Sequence, residues 1–142
     1  MKNVLLTEHF SLAELTVTDH RTLDNTPDPV ARANLLRLAK FLERVKTVLG
    51  GKPIIVTSAY RSKAVNAACG SKETSQHRLG CAADFRVPGM TPNEVVLAVI
   101  ASDLDYDQLI REYDSWTHLS ITSVPPRKMA LIIDKAGTRS FS

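Results

Sequence analysis

No apolar run in this chain approaches the roughly 18 residues that a membrane-spanning helix needs. The opening Met-Lys-Asn-Val-Leu-Leu-Thr-Glu-His holds too short an apolar stretch for a signal peptide. We therefore expect a protein made in the cytoplasm, with no membrane insertion, that reaches any outside target by another route. Lys and Arg are scattered and never form a block. The chain thus lacks the basic stripe and aromatic platforms of a nucleic-acid binder. Cysteine is scarce: Cys69 and Cys81 stand alone, without Cys-x-x-Cys spacing. They read as two small thiols, buried or half-buried, and their pairing stays open.

What is present is ordinary for a globular protein. The chain has 142 residues, 44% hydrophobic and 23% charged, enough for one domain (1–142) around a single core. No internal repeat or linker divides it. The net charge of +3 and pI near 9.0 mildly favour an anionic partner, such as a cell-wall polymer.

Hydrophobic periodicity and turn residues give the element order. Ser11-Leu-Ala-Glu14 matches a capping box and opens a short helix to about Leu15. Asp28-Pro29 reads as an N-cap and first-turn proline for a long helix to about Leu49. Its stripe is Leu35, Leu38, Leu42, Val45 and Leu49, widened by Leu36 and Phe41, and Gly50-Gly51 stops it. Pro53–Thr57 reads as a strand delivering Ser58-Ala-Tyr-Arg61 at its end. Ser62 caps a helix to about Ala68. A strand then runs through Asp84 to about Val87, and Thr91-Pro92 opens a helix with Val95, Val96, Val99 and Ile100 on its apolar face. Strands are expected at Asp107–Glu112, Trp116–Ile121 and Lys128–Asp134, with a loose tail from Ala136.

The chemistry concentrates in Ser75–Asp84, Ser-Gln-His-Arg-Leu-Gly-Cys-Ala-Ala-Asp. An imidazole and a carboxylate seven residues apart are too far for one helix face. They suit a loop ligand, a tight turn at Gly80 and a strand ligand, with Ala82 and Ala83 permitting close packing. His118 lies on an alternating strand, whereas His9 and His20 have no partner at ligand spacing and default to surface or capping roles. His77, Asp84 and His118 would form a His₂Asp set with one open position, the pattern of a catalytic zinc. Such a zinc acidifies water to a pKa of roughly 7 and polarises a carbonyl. A hydrolase also needs a base, for which Glu112 and Asp114 are both candidates because they share strand parity with His118. Arg61 could hold a substrate carboxylate or a developing oxyanion. Each residue has a plainer reading alone: Arg61 a surface ion pair, Trp116 core packing, Glu112 a solvated charge. Their order within one small chain is what gives them weight.

These motifs resemble the zinc D-Ala-D-Ala carboxypeptidase and peptidoglycan endopeptidase family, peptidase family M15. Ser75, His77, Gly80, Ala82 and Asp84 match Ser-x-His-x-x-Gly-x-Ala-x-Asp. Ser58-Ala-Tyr-Arg-Ser62 with Asn66 resembles the family's arginine motif, and Asp107-Gln-Leu-Ile with Glu112 and Trp116-Thr-His118 its closing segment. Phe10–Leu15 and Asn25–Pro27 resemble the opening of short phage and prophage members.

The resemblance implies an α+β fold with a central antiparallel sheet flanked by helices, as in the hedgehog fold, and one Zn²⁺ held by His77, Asp84 and His118. It implies hydrolysis of a peptide bond in the peptidoglycan stem peptide by a monomeric lytic enzyme. Arg61 carries over as the substrate or transition-state cation. Ser75 is implied to orient His77 or bind substrate, and Trp116 to line the substrate site. Several branches place an acid three residues before the last histidine, where this chain has Ser115. The short phage members place a glutamate six residues before, which is Glu112 and is favoured as base over Asp114. The alternative function is a non-catalytic wall-binding or phage structural module on the same fold.

Overall fold

The computed structural model describes residues 4–141. Four helices, α1 (Leu12–Leu15), α2 (Pro29–Val48), α3 (Lys63–Ala68) and α4 (Pro92–Ile100), accompany six strands. The strands are β1 (Ile55–Ser58), β2 (Ala82–Arg86), β3 (Gln108–Glu112), β4 (Trp116–Ser120), β5 (Met129–Asp134) and β6 (Gly137–Ser140). The class is α+β. The strands form one sheet in the order β1-β2-β4-β3-β5-β6. Among the described residues no helix is long and apolar enough to cross a membrane.

The helix starts follow from their caps. Ser11 with Glu14 and Thr91 with Glu94 form capping boxes, and the Asp28 and Ser62 side chains accept from backbone amides three residues on. Helix α2 buries Ala31, Leu35, Leu38, Ala39, Leu42 and Val45. Leu36 does not widen that stripe. One residue advances the helix by about 100°, so the neighbour of Leu35 turns toward solvent, and Leu36 is 37% exposed. Ile100, in the final turn of α4, is exposed for a similar reason, whereas Val95, Val96 and Val99 are buried.

The sheet is antiparallel except at one pair. β3 and β5 run parallel, with Gln108 opposite Met129 and Glu112 opposite Ile133. The cause is the route of residues 121–128. β4 returns the chain to the start of β3, residues 121–128 turn it there, and β5 sets off alongside β3, with Met129 N donating to Asp107 O at 2.9 Å. The tail is not loose. Residues 137–140 pair with β5 as a hairpin, and Phe141 N donates to Ala130 O at 3.0 Å. Every residue of β6 is exposed, so no apolar alternation announces the strand. The hairpin is held by main-chain bonds and by Arg139 on Asp134 at 2.8 and 2.9 Å.

The two faces of the sheet have different tasks. Ala83, Phe85, Leu109 and Leu119 point to the helices and are fully buried with the α2 and α4 side chains. The residues between them, Asp84, Ile110 and His118, point to the opposite face.

Candidate metal centre

Two of the three candidate ligands are placed by register. Asp84 on β2 lies directly opposite His118 on β4, so both side chains leave the same face as neighbours. Ile110 opposes His118 from the other side, and Glu112 opposes Trp116, which puts Glu112 and Trp116 on that face too.

His77 arrives on the turn-rich loop before β2. The loop is pressed against α2 at Gly80, whose φ of +78° suits glycine. A Cβ there would lie 2.8 Å from the Ala31 carbonyl oxygen and 3.3 Å from Leu35 Cγ. Both the backbone angle and the space therefore demand glycine. Ala82 and Ala83 are completely buried, consistent with the close packing expected of small residues.

The donor atoms converge. His77 Nε2 and His118 Nδ1 lie 3.3 and 2.8 Å from Asp84 Oδ1. The three residues offer ligand atoms all within 4.8 Å of one another. His77 Nδ1 is 2.7 Å from the Ala59 carbonyl oxygen. That oxygen can only accept, so Nδ1 carries the proton and a neutral ring presents a bare Nε2. Burial favours this neutral form by lowering the His77 pKa. A bare Nε2 and a carboxylate oxygen at 3.3 Å are two lone pairs facing each other. A cation shared between them satisfies both, so the residues fit a metal ion.

Burial alone would raise the Asp84 pKa, but the hydrogen bond from His118 outweighs it and holds the carboxyl well below the usual range. Its other oxygen, Oδ2, is 3.4 Å from Arg61 Nη2. Arg61 also donates to Ser58 Oγ at 3.1 Å and Ser71 Oγ at 3.0 Å. Its own N–H donates to the His77 carbonyl, which ties the arginine loop to the histidine loop.

Glu112 is half-buried, and its pKa is raised by burial and then by the negative charge of Asp84. Asp114 is placed elsewhere. Tyr113 and Asp114 both have φ of +51° in the β3–β4 turn, closed by Ser115 N on Glu112 O at 3.0 Å. Left-handed residues end the alternation, so parity with His118 does not extend to Asp114. Its carboxylate instead sits 3.0 Å from Arg111 Nε, on the side where Arg111 also reaches Asn93 of α4. Ser75 Oγ accepts from His77 N at 3.3 Å, and Trp116 lies half-buried with its ring 5.9 Å from that of Tyr113. His9 is remote, bound to Glu43 of α2 at 2.6 Å. Cys69 and Cys81 are both free thiols, one exposed and one buried.

Sequence reasoning passed over the supports: the Ala59 carbonyl, Ser71, and a hub at Asp107. The buried Asp107 carboxylate accepts from Gln76 Nε2 (2.8 Å) and from Arg127 N, Nε and Nη2 (3.0, 3.0 and 2.6 Å). Gln76 adjoins His77, so the hub anchors the histidine loop to the end of β4. Backbone carbonyls carry no sequence signal. Asp107 was visible only as part of a motif.

Two imidazoles and a carboxylate, brought together on one sheet face, are a donor set that could hold a single metal ion. The family comparison agrees. The peptidase M15 family model matches residues 8–120, and the chain belongs to that family. It is a peptidase by family. No curated protein matches the sequence.

Proposed function

We propose that the chain is a zinc peptidase that hydrolyses a peptide bond of the peptidoglycan stem peptide, as a lytic enzyme of phage or prophage type. His77, Asp84 and His118 would hold one zinc ion through Nε2, a carboxylate oxygen and Nδ1. The observation that supports this reading is the His77 ring, whose Nδ1–H donates to the Ala59 carbonyl so that the Nε2 lone pair meets Asp84 and His118. Bound there, zinc supplies a Lewis acid that polarises the scissile carbonyl and acidifies water.

The remaining roles fall to the chain's own side chains. Glu112, on the same face and with a raised pKa, takes a proton from the attacking water and returns it to the leaving nitrogen. Arg61 orients Asp84 and sets a fixed positive charge beside the developing oxyanion. Ser75 braces the His77 amide, and Trp116 with Tyr113 walls the cleft on the β3–β4 side. We take residues 1–142 as one catalytic domain, since β5 and β6, beyond the family match, extend the same sheet, and we expect it to work as a monomer.

The test is metal content together with muropeptide analysis. Purified protein should hold about one zinc per chain, as expected for a three-ligand catalytic site. It should release wall peptides identifiable by mass spectrometry and lose that activity to a chelator. Protein that neither contains zinc nor gains activity with it overturns the proposal. Binding to walls without any cleavage would favour a non-catalytic module.

A further inference from the structure

Beyond His118 lies a cavity of about 480 Å³, lined by Gln76, Gln108, His118 and Arg127 and by the apolar Val124 and Pro125. We propose that this cavity is a specificity subsite for a substrate carboxylate and that Arg127 is its anchor. The inference rests on the peptidase reading and deepens it, by assigning an acidic peptide to the side of the cleft beyond His118.

The geometry of Arg127 carries the proposal. A guanidinium has five N–H donors on two usable edges. Nε and Nη2 together grip the Asp107 carboxylate side-on, at 3.0 and 2.6 Å. That leaves both protons of Nη1 and one of Nη2, which include the end-on fork, without a hydrogen-bond partner among the described residues, and the side chain is 50% exposed. An end-on fork matches a carboxylate with two parallel hydrogen bonds. Asp107 itself is saturated by four donors and buried, so it holds Arg127 in one plane instead of competing for the ligand. Arg127 thus offers a fixed cation whose ordering cost is already met by folding.

Arg61 is a poor alternative for this role. Its Nε, Nη1 and Nη2 are all engaged by Ser58, Ser71 and Asp84, and its side chain is only 13% exposed. The division of labour follows: Arg61 serves the reacting carbonyl, and Arg127 reads a carboxylate further along the peptide. Among the described residues, Asp107 is the only acid lining the cavity, and it is already neutralised by Arg127, so no unpaired carboxylate there repels an anion.

The experiment uses a stem peptide and a set of copies in each of which one carboxylate is converted to its amide. Binding to the zinc-loaded protein is measured by NMR titration, following Kd and the guanidinium Nη–H resonances of Arg127. Binding is read whether or not the peptide is cut. One amidation should weaken binding about 10-fold or more, the loss expected for a charge-assisted bidentate pair, and should abolish the Arg127 shift. The double variant Asp107→Asn/Arg127→Gln replaces the ion pair with two amides and leaves neither charge buried alone. It should bind the acid and amide forms alike. If that variant does not fold, the wild-type series with the Arg127 resonances still decides. Equal Kd across all amides, or discrimination that survives in the double variant, overturns the proposal. Protein that prefers the acid but cuts no wall peptide loses the hydrolytic reading alone. Protein that cuts walls without any carboxylate preference loses the Arg127 subsite alone.

Discussion

Replacing Gly80 with alanine perturbs the His77 loop without touching any candidate ligand. Two costs follow from the structure. The residue sits at φ +78°, a left-handed conformation that costs an L-residue about 1–2 kcal/mol. The new methyl would lie 2.8 Å from the Ala31 carbonyl oxygen, closer than any relaxed contact. That atom belongs to the first turn of α2 and cannot swing aside like the end of a side chain. Overpacking of this kind costs about 1–3 kcal/mol. Together they remove about 2–5 kcal/mol, a large share of the roughly 5–15 kcal/mol that holds a domain folded. Thermal melting by circular dichroism should fall by roughly 10 °C for a chain of this size. Gly89 supplies the control. Its φ is +86°, yet nothing lies within 4 Å of its would-be Cβ, so Gly89→Ala should incur the conformational cost alone. The difference between the two variants isolates the clash. Relief of that clash must move either α2 or the 76–80 turn, so Gly80→Ala should also weaken zinc binding in a competition titration, and Gly89→Ala should not. If the two variants melt together and bind zinc equally, the close approach of loop and helix does not position His77 as argued.

Two further outcomes follow from the charged groups. Glu112→Gln should retain the metal and lose about 10²–10⁴-fold in kcat, the usual worth of a general base. Because burial and Asp84 raise the Glu112 pKa above 4.5, and a base must be ionised to act, wild-type activity should fall as pH drops through a value above 4.5; an acid limb below it in the kcat/KM profile would refute the assignment. Arg127 holds the Asp107 pKa at about 2 against 3.8 when unpaired, a depressed carboxylate whose stabilising effect is present above pH 3.8 and lost as pH falls toward 2. Linkage at about 1.4 kcal/mol per unit makes this roughly 2 kcal/mol, so denaturant melts of wild type should lose more stability between pH 4 and 2 than those of Asp107→Asn.

Much of this arrangement is legible in the sequence because it depends on local signals. The capping residues Ser11, Asp28, Ser62 and Thr91 each start the helix they announce. Gly80 stands where the turn requires it, and the strand residues Asp84 and His118 follow from alternation. What escaped depends on context that alternation does not encode. Asp114 has the right parity on paper, but it and Tyr113 are both left-handed and reverse the chain at that point. β6 has no buried side chain, so its existence rests on backbone pairing that leaves no pattern in the residues. The parallel β3–β5 pair depends on the path of a loop. The Asp107 hub joins residues from three separate segments, 76, 107 and 127, which only the folded chain makes neighbours.

β4 has a consequence for how this chain can vary. Thr117 and Leu119 face the helices, His118 and Ser120 face the other side, and all four are buried. Ser120 Oγ even accepts the Gln108 amide at 3.0 Å. An ordinary sheet strand with one wet face tolerates change at every second position. Along residues 117–120 both parities are buried, so drift at either one damages packing or the donor set. A saturation-mutagenesis profile would show residues 117–120 as an unbroken intolerant block, in contrast to the fully exposed β6 two strands beyond β3. Divergence in such a chain is therefore channelled to its outer strands, leaving the central one nearly fixed.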